Sequence, residues 1–263
     1  MRLNKDNYFS KEADERYMSV SQYKNFKRCE AMAIAKLTGQ YEYYSDAFLV
    51  GSYVHAWAEG TIDDFIIKHP EIVSSRGASK GQLKKEFQQA NEMIKSLQSD
   101  PFVMDFLQGS HEILMTGELF GVEWKIMIDV YNPERERFVD LKTVRSIYEK
   151  YWLDGKKMSF VEYFGYITQM AVYQEIEGQN RLGIPLQPYI IAVSKETVPD
   201  RAVIYIDQET LDEELADVER RMKRIIQVKN AEVMPRRCER CDYCRKTKKL
   251  NQAIHYSEIL GGN

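Results

Sequence analysis

Residues 138–146 read FVDLKTVRS, and the pattern of this stretch decides the fold. Its apolar residues form a short run rich in β-branched and aromatic side chains, which predicts a strand. Successive side chains of a strand point to opposite faces, so Asp140 and Lys142 share one side while Leu141 points to the other. An acid and an amine are presented together. An exposed strand with a weak surface ion pair would show the same two residues, so the flanking sequence has to decide between the readings.

Immediately upstream, KIMIDVY (125–131) is an apolar run that carries Asp129 near its end, and the turn NPER (132–135) separates it from the Asp140 strand. A hairpin there brings the two carboxylates together. Two converging acids repel unless a divalent cation lies between them. Mg²⁺ suits such a pair, because it takes a few carboxylate oxygens and keeps its remaining positions for water and phosphate. Lys142 beside that cation would orient a water and offset charge developing on a phosphate. The chemistry implied is metal-assisted phosphodiester hydrolysis.

Further out, HEILMTGELF (111–120), VEWKIMIDVY (122–131) and ERFVDLKTV (136–144) read as a meander of three strands, with LQPYIIAVS (186–194) and RAVIYID (201–207) as two more. Helical periodicity covers 20–38, behind Ser19 or Ser21 as N-cap and with Gly39 as the stop, and then about 50–68 and 80–99. The 80–99 segment reads as polar, amphipathic and peripheral. Residues 158–182 return to a helical pattern, and QETLDEELADVERRMKRIIQ (208–227) is a long charged helix. Together these imply an α/β fold with a central mixed sheet flanked by helices. No internal repeat or low-complexity tract interrupts it, so residues 1–263 read as one domain with an N-terminal helical part and a C-terminal cysteine cluster.

The 263 residues are 44% hydrophobic and carry a net charge of −3, which excludes a surface coated in base and confines any phosphate grip to a local groove. The polar start MRLNKDNYFSKEADER and the lack of a long apolar run predict a cytoplasmic protein with no membrane partner. Of the four cysteines, Cys29 stands alone and Cys238, Cys241 and Cys244 crowd into CERCDYC. Cysteines at that spacing more often share a metal than a disulfide.

Several weaker signals stand in a set order. Phe26 and Cys29 come first, then Gly51-x3-His55, apolar-IDVY, VDLKT, Gln169-x3-Tyr173 and the cysteine cluster. That order resembles the PD-(D/E)xK nuclease superfamily, its RecB-like branch and, within it, the RecE-like exonucleases of phages and prophages. The resemblance runs from about Ser19 to Leu250 and implies a restriction-endonuclease-like core. By it, His55, Asp129 and Asp140 bind Mg²⁺ (or Mn²⁺), and Asp129, Asp140, Lys142, Gln169 and Tyr173 are catalytic. Gln169 and Tyr173 fall on the family's helical motif near the active site and DNA. Glu118, in TGELFG, is a further candidate. The sequence departs from the branch in having no Pro-Asp pair at Asp129.

The same resemblance implies an exonuclease on linear duplex DNA with free ends, a role in phage-type recombination beside a single-strand annealing protein, and a homo-oligomeric ring. It also implies an iron–sulfur cluster, [4Fe–4S], on Cys29, Cys238, Cys241 and Cys244, although the last two cysteines are closer in sequence than is usual. Four thiolates also suit tetrahedral Zn²⁺. The other readings are a non-catalytic DNA- or partner-binding module on a nuclease fold, a CRISPR-adaptation-like iron–sulfur nuclease working as a monomer, and a zinc-stapled structural protein.

Overall fold

The computed structural model describes residues 2–42, 46–153, 155–181 and 183–259. In chain order the helices are α1 (Lys11–Arg16), α2 (Val20–Arg28), α3 (Glu30–Leu37), α4 (Asp46–Ala58), α5 (Ile62–Lys68), α6 (Lys85–Gln98), α7 (Pro101–Phe106), α8 (Phe160–Tyr163), α9 (Tyr166–Asn180), α10 (Gln208–Lys229) and α11 (Asp242–Lys246). The strands are β1 (Ser110–Leu119), β2 (Val122–Asn132), β3 (Arg137–Val144), β4 (Tyr151–Leu153), β5 (Lys156–Met158), β6 (Gln187–Ser194) and β7 (Arg201–Tyr205).

Five strands form one sheet in the order β1-β2-β3-β6-β7, and β4 pairs with β5 as a separate hairpin. Only β3 and β6 run parallel, in register from Arg137↔Gln187 to Val144↔Ser194; the other neighbours are antiparallel. This is the mixed α/β sheet the strand patterns predict, and all five of its strands lie where the periodicity puts them. Alternation along β3 sets the site. Val139 and Leu141 join the core with Val50, Tyr53 and Val54 of α4 and with the apolar face of α6. Asp140 and Lys142 point the opposite way, toward α9, where their partners Gln169 and Tyr166 lie.

Three helices expected to be continuous are broken. Cys29 adopts an extended backbone (φ −167°, ψ 111°) between α2 and α3, and Gly39, at φ +74°, ends α3 as a C-terminal glycine does. Gly60 at φ +76° separates α4 from α5, and Gly165 at φ +65° separates α8 from α9. These left-handed positions suit glycine, and periodicity alone does not register them. α6 is also less peripheral than its polar sequence implies, because Phe87, Ala90, Met93, Ile94 and Leu97 are buried along one face.

The chain divides into two compact units. One comprises residues 1–20 and 43–223 and contains the sheet; the other comprises 21–42 and 224–263. Among the described residues no helix is long and apolar enough to cross a membrane.

Candidate active site

The β2–β3 ladder is short. It pairs Asn132 with Arg137, Tyr131 with Phe138 and Val130 with Val139, and stops there. Where the next pair would form, the Asp129 side chain takes over: its Oδ2 accepts the backbone N–H of Leu141 at 2.8 Å. β3 continues on β6 while β2 parts from it. The two carboxylates therefore flank the point at which the strands separate, as the predicted hairpin requires.

Asp140 is 2% exposed, and its two oxygens have different company. Oδ1 accepts from Gln169 Nε2 at 2.6 Å. Oδ2 lies 2.5 Å from Lys142 Nζ, yet it has no well-directed hydrogen bond and is otherwise buried without a partner. Burial pushes the Asp140 carboxyl up, Lys142 pulls it back and Asp129 adds to the rise. Burial also opposes the charge on Lys142, but Asp140 and Asp129 outweigh it and hold the amine as an ammonium. That cation sits 5.2 Å from the centre of the Tyr166 ring, a favourable cation–π distance.

His55, on α4, places Nδ1 3.5 Å from Asp129 Oδ2. Tyr173 is buried one turn beyond Gln169 on the same face of α9, and burial first, then Tyr8, Asp140 and Asp129, push its phenol well above the ordinary range. His55, Asp129, Asp140, Lys142, Gln169 and Tyr173 are thus gathered in one place from four elements. Glu118 is not. It sits opposite Glu123 at the far end of the β1–β2 hairpin, six residues and about 20 Å along the strand from the position across from Asp129.

That position belongs to Glu112, because the register pairing His111 with Val130 and Ile113 with Ile128 sets Glu112 across from Asp129. Glu59, which reads in sequence as a solvated residue one turn after His55, is half-buried. Burial and then Glu112 push its carboxyl up to about 7, with Asp129 adding and His55 opposing. Tyr166, Glu59 and Glu112 are the residues that motif reading passes over. Tyr166 was reachable from sequence, since it lies three before Gln169 and seven before Tyr173 on one helical face. Glu112 was not, because only the strand register brings it in.

The donor set is oxygen-rich with one imidazole. Asp140 Oδ2 is buried and lacks a well-directed partner, and Asp129 Oδ1 has no hydrogen-bond partner among the described residues. Such donors fit a hard divalent cation such as Mg²⁺ or Mn²⁺, which Asp129, Asp140 and His55 could hold.

In the second unit Cys29, Cys238, Cys241 and Cys244 place their sulfurs within 4.8 Å of one another. Cys29 Sγ is 3.5 Å and Cys238 Sγ 3.9 Å from Cys244 Sγ. The kink at Cys29 that divides α2 from α3 lies at the cluster. Burial raises the Cys29 and Cys241 thiols, the latter to about 12. Burial also works upward on Cys238, but the backbone N–H groups of Arg240 and Cys241 prevail and bring it down to about 6. The four sulfurs together have the composition of a metal site.

The family described as a PDDEXK-like domain of unknown function (DUF3799) matches residues 19–247. Among solved structures, a "putative exonuclease" from Eubacterium rectale is 42% identical and superposes with a TM-score of 0.92, with 100% of both chains covered. The structure of SSO0001 is far more distant, at 13% identity and a TM-score of 0.32 over 78% of this chain and 95% of that one. No curated protein matches the chain significantly.

Proposed function

Because this chain belongs to the PDDEXK-like family (DUF3799), which matches residues 19–247, we propose that it is a divalent-metal-dependent deoxyribonuclease that degrades linear duplex DNA from its free ends. One observation carries the reading. Asp129 and Asp140 flank the opening between β2 and β3, with the Lys142 ammonium 2.5 Å from Asp140 Oδ2. A non-catalytic module would have no use for that costly group of buried charges.

When bound by Asp129, Asp140 and His55, Mg²⁺ or Mn²⁺ supplies Lewis-acid charge beside the scissile phosphate. In the metal-free site Asp140 and Asp129 favour the ammonium form of Lys142. That ammonium donates toward the phosphate and stabilises the negative charge that grows there in the transition state. Gln169 holds Asp140 through Oδ1, so Oδ2 keeps its direction. Tyr173 stays a neutral phenol and a hydrogen-bond donor at the wall of the site.

End-directed cleavage is favoured by the similarity to the Eubacterium rectale protein and by the RecE-like order of motifs. The RecE-like order of motifs by itself suggests phage-type recombination beside a single-strand annealing protein. A net charge of −3 gives one subunit little general grip on a polyanion. A closed homo-oligomeric ring replaces grip with encirclement. The test is degradation of linear and covalently closed duplexes in Mg²⁺, Mn²⁺ or chelator, with light scattering of the same protein. Loss of linear DNA only, in metal only, is expected. No cleavage in any metal overturns the nuclease reading, equal cutting of closed circles overturns end-directed action, and a monomer overturns the ring.

For the cysteines, the separations favour a single Zn²⁺ over [4Fe–4S]. A tetrahedral ion with Zn–S bonds of about 2.3 Å spaces its sulfurs at about 3.8 Å, close to the 3.5 and 3.9 Å seen here. A cubane puts each thiolate on a different iron and holds the sulfurs wider apart.

A further inference from the structure

β1 occupies one edge of β2 along its length, and β3 leaves the other edge after a short ladder. The N-terminal segment takes the edge that β3 leaves. Met18 N–H donates to the Glu123 carbonyl at 2.8 Å, and Lys125 N–H donates to the Met18 carbonyl at 2.9 Å. The Lys125 side chain, fully buried, then ties the segment down. Its ammonium donates to Asp14 Oδ1 at 2.6 Å and to the Tyr8 carbonyl, and it lies 4.8 Å from the centre of the Tyr8 ring. A charge buried that deeply is stable only with such partners in place. Earlier in the segment Lys5 pairs with Glu112 at 2.5 Å, and the strand register sets Glu112 across from Asp129. Tyr8 therefore lies between two anchored points. Lys125 and Asp129 are four apart on β2, so alternation puts both on one face of the sheet, and Tyr8 is held on that face.

Tyr8 is 6% exposed, and its hydroxyl has no hydrogen-bond partner among the described residues. Buried polar groups almost always have one, so an orphan of this kind calls for an explanation. Burial first, then Asp14 and Asp129, push the phenol above its ordinary range, and it keeps its proton. Of the ionisable groups acting on Tyr173, Tyr8 acts most strongly, ahead of Asp140 and Asp129. Such effects fade with distance, so the two phenols stand together at the wall of the cleft.

We infer that Tyr8 is a substrate-binding residue of this site, its hydroxyl donating to a non-bridging phosphate oxygen of the strand being cut. The carboxylates around it are committed elsewhere, Asp129 to the Leu141 N–H and Asp140 to Gln169, and both to the cation when it is bound. An incoming phosphate is the acceptor that remains. A neutral O–H also suits a place beside two acids, because it attracts the phosphate where they repel it. The inference rests on the nuclease reading for its substrate. It adds a contact from a segment outside the family's matched residues, 19–247.

Tyr8→Phe keeps the ring beside Lys125 and removes only the oxygen. In Mg²⁺ it lowers kcat/KM on linear duplex DNA by roughly 10–100-fold, the scale of one hydrogen bond to a charged group. Tm stays at the wild-type value, since the hydroxyl makes no bond inside the protein. A second measurement needs no cleavage: in protein carrying 3-fluorotyrosine in place of Tyr8, the fluorine resonance shifts when a short duplex is added without divalent metal. It also carries the test should Tyr8→Phe fail to fold. A folded Tyr8→Phe that cuts at the wild-type rate overturns the inference, as does a fluorine resonance indifferent to DNA. So does a loss of activity matched by a fall in Tm of several degrees, which would make Tyr8 a packing residue. Wild-type protein that cuts nothing in Mg²⁺ or Mn²⁺, while DNA still moves the fluorine resonance, overturns the nuclease reading and leaves the contact standing.

Discussion

The Asp129 carboxylate accepts the backbone N–H of Leu141 at 2.8 Å, so one side chain does the work of a missing carbonyl in the sheet ladder. β2 can leave β3 at that point without stranding a buried donor. A single residue thus both opens the cleft and lines it.

Asp129→Ala and Asp129→Asn separate these two roles. Both abolish cleavage. Only alanine leaves the Leu141 N–H unsatisfied beside a fully buried side chain, at a cost of about 1–3 kcal/mol. Thermal unfolding of the metal-free variants checks this, with alanine expected to lower Tm by several degrees and asparagine by much less. Equal Tm values would remove the structural role.

Lys142→Ala is expected to reduce hydrolysis by at least about 10²–10³-fold, the scale for losing a preorganised charge in a transition state. DNA and metal binding largely persist. Cleavage near the wild-type rate in Mg²⁺ would show that the site is misassigned.

Gln169 donates to Asp140 Oδ1, and its proposed role is to position that carboxylate. Gln169→Leu should cost about 10–100-fold in metal affinity, as lost outer partners do. Raising Mn²⁺ should restore much of the rate, and Gln169→Glu, which sets a second acid against Asp140, should not be rescued. A rate loss in Gln169→Leu that no metal concentration repairs would assign the residue to substrate instead.

Glu59 makes stability depend on pH. Its folded carboxyl is raised to about 7, above an unfolded value near 4.3, so folding takes up a proton between those values and stability falls as pH rises through them. The full shift corresponds to about 4 kcal/mol, which partial exposure and screening cut to about 1 kcal/mol. Glu59→Gln should therefore raise the Tm of metal-free protein by about 2–4 °C at pH 8 and by little at pH 4.5. A gain of the same size at both pH values would exclude the carboxylate as its cause.

Metal analysis of purified protein should find one zinc per chain and no acid-labile sulfide. Cys29→Ser and Cys241→Ser should lose it and destabilise the fold equally, because they share one ion. Brown protein containing iron and sulfide would restore the cluster reading, and metal-free protein of full stability would dismiss both.

Local periodicity was enough to determine the five sheet strands, the helices α6 and α10 and the shared face of Asp140 and Lys142, because strand alternation and helix pitch are properties of neighbours in sequence. The order of the motifs was enough to place the chain near its family and to select His55, Asp129, Gln169 and Tyr173. Only the tertiary structure decided where β2 leaves β3, since that depends on a hydrogen bond between a side chain and a backbone on different strands. It also brought Glu112 across from Asp129 through strand register and lifted Glu59 out of solvent beside it. The breaks at Cys29, Gly60 and Gly165 belong to the same class. Each is a backbone dihedral choice settled by what the two flanking helices must reach, and apolar spacing along the chain carries no trace of it.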